Sequence, residues 1–135
     1  MACRLTELVL NCRDPEALAA FWCAVLGYEV LGYEGPDIEI GPATGFGGAA
    51  PTIILAKVDA EEARPLRLHW DVNPVGCDQA TELARLLDLG ARPADVGQGE
   101  TEWHVLADPE GNEFCLLATE LPALERPATR TTDPA

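Results

Sequence analysis

The sequence predicts an α+β protein made of two tandem βαβββ units. Two observations carry this. Two amphipathic helical stretches each follow one strand-like run and precede three more. The glycines that end those stretches, Gly27 and Gly90, are 63 positions apart, and Glu7 and His69 stand 62 apart at matching places in the opening strand of each half. Similar spacing at two independent points indicates an internal duplication. A chain of 135 residues has room for two such halves sharing one core.

The first unit, about residues 4–59, opens with LTELVLNC (5–12), a strand rich in Leu and Val. Asp14-Pro15-Glu16 then supplies an N-cap, a proline in the first helical turn and an acid that suits the helix dipole. Leu18, Phe21, Trp22, Val25 and Leu26 form one helical stripe, and Gly27 stops it as a left-handed cap. YEVLGYE, DIEIG and PTIILAKV are the three following strands, with Gly and Pro between them. AEEARP (60–65) reads as a polar linker.

The second unit, about residues 66–119, repeats the scheme. LRLHWDV (66–72) is its opening strand, and Asp78 to Leu89 its helix, with Ala80, Leu83 and Leu87 on one face. RPADVG, TEWHVLAD and NEFCLLAT complete it, the last entered through a turn at Gly111-Asn112. Residues 120–135 read as a flexible C-terminal tail.

The formal net charge is −14, from 23 acidic and 9 basic residues. That excludes nucleic acid and anionic membrane surfaces as natural partners, since both need a basic face. It favours a neutral or cationic ligand, although acidity also serves solubility alone. Five cysteines with no C-x-x-C pair give neither a disulfide framework nor a zinc knuckle. MACRLTELVLNCRDPE lacks a signal peptide's charged and apolar regions, and no apolar run approaches the roughly 20 residues of a membrane span. The expectation is a cytoplasmic protein with reduced thiols. The glycine-rich stretch GPATGFGGAA (41–50) has no Lys-Ser/Thr and opens no helix, so it is a rim loop and not a phosphate loop.

LVLNCRDPEALAAFWCAVLGYEV, RLHWDV and WHVLADPEGNEFCLL, with the order of the units, resemble the vicinal oxygen chelate superfamily, and within it the actinobacterial glyoxalase-like domains. The resemblance covers roughly residues 4–119 and implies a mixed sheet curled around a cleft. It implies no single reaction, because the superfamily spans glyoxalase I, extradiol dioxygenases, fosfomycin-modifying enzymes, epimerases and bleomycin-type sequestering proteins. Metal-dependent members take ligands from the first and fourth strands of each unit. Carried onto this chain, those positions are Glu7, Ile54, His69 and Cys115. Ile54 cannot bind a metal, and Cys115 stands where many relatives have glutamate.

The resemblance and the period-two alternation of strands together give the expected site. Glu7 and His69 are its catalytic candidates, as an acid/base pair. Asn11, Ile54, Asp71, Trp103 and Cys115 are its ligand-contacting candidates. No metal is expected; were zinc, iron, nickel or manganese bound, the donors would be Glu7, His69 and Cys115. The plain alternative for Cys115 is a small buried hydrophobe. Two functions follow. One is a binder of a small organic molecule, cationic or aromatic, of the drug- or natural-product-binding type. The other is a divergent lyase, isomerase or oxygenase using Glu7 and His69, with or without a divalent metal. A homodimer is the expected assembly.

Overall fold

The computed structural model describes residues 2, 4–61 and 68–123. Most of the expected linker, Arg67, and most of the expected tail lie outside the described residues. The first unit runs β1 (Glu7–Cys12), α1 (Pro15–Leu26), β2 (Glu29–Glu34), β3 (Asp37–Gly41) and β4 (Thr52–Lys57). The second runs β5 (Trp70–Val72), α2 (Gln79–Leu89), β6 (Arg92–Pro93), β7 (His104–Ala107) and β8 (Glu113–Leu116). Their sheets have the same order, β1-β4-β3-β2 and β5-β8-β7-β6, with the outer pair parallel and the rest antiparallel. The duplication inferred from spacing is thus a duplication of topology.

Both helices start and stop where their caps dictate. Asp14 accepts from the Ala17 N–H and Asp78 from the Thr81 N–H, while Gly27 (φ 67°) and Gly90 (φ 119°) turn left-handed. The α1 stripe lies as expected, with Leu18, Phe21 and Trp22 buried. The α2 stripe is met in part: Leu83 packs against the core, but Ala80 is exposed, Leu86 is fully buried and Leu87 is 39% exposed. Arg85 explains the difference. It pairs with buried Glu82 and donates to the Ala24 and Val25 carbonyls at the end of α1. That contact rolls α2 so that Leu86, not Leu87, meets the core. The second unit's strands are also shorter than expected: Leu68 and His69 precede β5, and β6 keeps only two residues of RPADVG.

One core serves both units, and Trp22 is its centre. Its ring meets Phe21 of its own helix edge-on at 5.1 Å, and Trp70 and Phe114 of the second unit at 4.9 and 5.1 Å. Its Nε1–H donates to Asp108, which is fully buried. Asp108 also accepts from the Asn112 side chain and from the Glu110 and Asn112 backbone N–H groups. Glu110 in turn accepts from the Arg13 and Asp14 N–H groups at the start of α1, at 2.7 and 3.0 Å. The Asp108–Asn112 segment is therefore more than the turn its sequence announces. It fastens the second unit to the first, with Gly111 at φ 85° closing the loop.

Candidate functional site

The open face of the second sheet holds the chemistry. The parallel β5–β8 ladder sets Asp71 beside Cys115, and the antiparallel β7–β8 ladder sets Val105 on its other side. Alternation turns Trp70, Phe114 and Leu116 to the core and leaves Asp71, Glu113 and Cys115 on the opposite face. His69, two residues before Asp71, joins them, with its Nε2 3.6 Å from Asp71 Oδ1. One donor atom each from His69, Asp71 and Cys115 lies within 4.8 Å of the other two.

These groups line a cavity of about 450 Å³. Trp103, Val96, Val105 and Leu117 give it apolar walls, and Glu113 and Gln98 add polar ones. Among the described residues its lining includes two carboxylates and no Lys or Arg. Cys115 is nearly buried, whereas the His69 and Asp71 side chains are 60% and 50% exposed. Burial pushes the Cys115 thiol up from 9.0; the Asp71 charge and hydrogen bond, then the Glu113 charge, act in the same direction. The thiol therefore stays protonated at neutral pH, which argues against a ready-made nucleophile.

Of the residues expected in the site, His69, Asp71, Trp103 and Cys115 come together. Glu7, Asn11 and Ile54 sit on the open face of the first sheet and do not line this cavity. The Glu7 carboxylate accepts from Thr52 Oγ1 at 2.9 Å within its own unit. Ile54 stands beside Val9 in the β1–β4 ladder. The convergence expected of Glu7 with His69 and Cys115 is thus replaced, among the described residues, by convergence of Asp71 with them. The reason is register: Asp71 is the direct ladder neighbour of Cys115, whereas Glu7 belongs to the other sheet. Val96 and Gln98 were not anticipated. They come from a loop whose sequence, ADVGQGE, carries no signal beyond its polarity.

Two βαβββ units of identical strand order, each presenting one sheet face outward and one of them carrying a polar-floored cavity, define a protein of the vicinal oxygen chelate architecture. The chain belongs to the glyoxalase-like domain family, which it matches over residues 7–117. Among solved structures it is similar to the fosfomycin resistance protein FosX of Mesorhizobium loti, with a TM-score of 0.63, 15% identity, and coverage of 88% of this chain and 95% of that one. FosX of Listeria monocytogenes, solved with Mn(II) and sulfate, gives 0.61 at 17% identity over 87% and 91%. A glyoxalase/bleomycin resistance protein/dioxygenase family enzyme from Burkholderia phytofirmans gives 0.59 at 17% over 84% and 97%. At such identities the likeness shows the fold alone. No curated protein matches the sequence significantly. No described helix is long and apolar enough to cross a membrane.

The four-position metal set of the superfamily does not fit these residues. Ile54 offers no donor atom, and Glu7 is engaged with Thr52 outside the cavity.

Proposed function

We propose that the chain binds a small, flat organic cation in the cavity of its second unit, as a sequestering or resistance-type protein. The observation that carries this reading is the cavity's composition: apolar walls, two carboxylates beside His69 and, among the described residues, no Lys or Arg in its lining. Its volume lies within the roughly 300–1,000 Å³ usual for drug-sized ligands. Trp103, 42% exposed at its wall, offers a ring on which a flat cation stacks. Glu113 and Asp71 supply the balancing charge. The four described cysteines are free thiols, in keeping with a reducing, cytoplasmic setting.

The test is a melting-temperature screen of the metal-stripped protein with aromatic amines and their neutral isosteres. A ligand at 100 times its Kd stabilises the native state by about 2.7 kcal/mol. The expected result is a rise for cationic aromatics that Trp103→Ala or Glu113→Gln reduces. Equal binding of neutral isosteres, or indifference to Trp103, would overturn the reading.

A homodimer is proposed with it. Val9, 63% exposed on the open face that also carries Glu7, Asn11 and Ile54, is an apolar residue suited to burial against a second copy. Light scattering on the eluting protein gives the answer: a mass of one chain removes the dimer and leaves the cavity reading untouched.

A further inference from the structure

We propose that the loop of residues 94–103 builds a further subsite beside the first cavity, and that this subsite takes the amine-bearing arm of an elongated ligand. The proposal rests on the flat-cation reading of the first cavity and narrows the ligand class: an aromatic cation with a flexible arm that ends in an ammonium group.

The observation behind it is a difference between the two copies of the fold. The β2–β3 hairpin of the first unit closes over Gly35 and Pro36 alone, whereas the matching β6–β7 connection spans residues 94–103. Hairpin connections usually take about 2–5 residues, and longer ones tend to carry function. The scaffold therefore does not need the extra length. What the loop builds is a second cavity of about 460 Å³. Gln98, Trp103 and Val105 line both cavities, so the two meet along one shared wall. Together they approach the upper end of the roughly 300–1,000 Å³ usual for ligand sites.

The loop is held in shape from within. The Gln98 side chain accepts from the Val96 N–H at 2.8 Å and donates to the Ala94 carbonyl at 3.2 Å, and the Thr101 hydroxyl donates to the Trp103 carbonyl at 2.7 Å. Gly97 and Gly99, at φ 82° and 66°, make the left-handed bends that let the segment turn back on itself. Gln79, in the first turn of α2, donates to the Glu102 carbonyl at 2.8 Å and ties the loop to the body of the unit. Gln98 and Thr101 are thus committed to the wall. Glu100 and His104 are not. Both line the second cavity, both are exposed, and neither side chain has a hydrogen bond or ion pair among the described residues. Glu100 offers a charge and a neutral His104 an acceptor nitrogen. Among the described residues the lining holds no Lys or Arg to compete with an incoming ammonium group. An arm leaving a ring stacked on Trp103 has only the shared wall to pass before it reaches them.

The experiment titrates the full chain with aminoacridines that carry an ethyl, butyl or hexyl arm, each with and without a terminal amine, and reads acridine fluorescence at fixed ionic strength. The terminal amine should raise affinity about 2-fold to 5-fold, the worth of one exposed ion pair, on the longer arms and not on the ethyl arm. Glu100→Gln should remove that gain. Glu34→Gln, which alters an exposed acid of the first unit, should keep it. Far-ultraviolet circular dichroism checks that each variant is folded. A gain equal on all three arms, or one that survives in folded Glu100→Gln, is attraction to the chain's overall negative charge and would overturn the subsite. So would the absence of any gain while the unarmed aminoacridine binds, and in that case the flat-cation reading stands. Failure of every acridine to bind removes that reading and the subsite with it, so the two failures are told apart.

Discussion

The two units share a topology and differ in what they spend it on. The first has strands of six, six, five and six residues. Its sheet and helix bury Leu10, Leu18, Phe21, Trp22, Ile38, Ile40, Ile53 and Leu55. The second has strands of three, two, four and four residues, and its buried apolar set is smaller: Leu86, Ala91, Val105, Leu106, Phe114, Cys115 and Leu116. At the shared ladder position the first unit carries Val9 and Ile54, the second Asp71 and Cys115. Duplication lets one copy hold the core while the other gives up packing for polar groups on its open face. The second unit then leans on the first through Trp22, Asp108, Glu110 and Arg85.

Trp22 is where that dependence breaks most easily. Trp22→Ala leaves a cavity against Phe114 and Trp70 and removes one of the donors to the buried Asp108 carboxylate, so it should cost about 3–5 kcal/mol. Because the ring belongs to both cores, urea unfolding should stay a single transition at a lower midpoint. Two separated transitions would show that the units fold independently, and the comparison would lose its premise. Glu110→Ala acts on the same joint from its surface. It removes two hydrogen bonds to exposed N–H groups and an acid beside the α1 N-terminus, for about 1–2 kcal/mol. A loss too small to measure would mean that the two N–H groups are as well served by water.

Between those two effects lies one that tests how the sequence was legible. Caps, glycine stops and strand alternation are local, and they specified α1, the unit order and which residues share a face with His69 and with Cys115. The roll of α2 is not local. Ala80, Leu83 and Leu87 make the better apolar stripe by periodicity, but Arg85 reaches across to the end of α1 and turns Leu86 inward. Leu86→Ala should therefore cost about 2–5 kcal/mol and Leu87→Ala under about 1. Equal losses would restore the periodic face. The same distinction explains the site. Which residues share a strand face is written in alternation. Which face meets which depends on how the two sheets sit, and that is why Asp71, not Glu7, completes the trio with His69 and Cys115.

The smallest effect reads the joint through Cys12. This thiol is fully buried, and its pKa is pushed up to about 12 from 9.0, first by burial and then by Glu110, Asp14, Asp37 and Asp108. In the unfolded chain it ionises near its ordinary value; in the fold it stays protonated. Its contribution to stability is thus fully present below about pH 9 and is lost as pH rises towards 12. Cys23, Cys77, Cys115 and Tyr28 are raised too, so the alkaline slope has several sources. Cys12→Ala should flatten the slope between pH 9 and 11 without removing it, as measured by urea midpoints at each pH. Glu110 is the largest charge acting on Cys12, so Glu110→Ala should flatten it as well, by less. Both acids of the second unit reach Cys12 only while the units are docked. An unchanged slope in both variants would mean that the thiol does not feel the second unit's charge, and that the joint between the units is looser than Trp22 and Asp108 require.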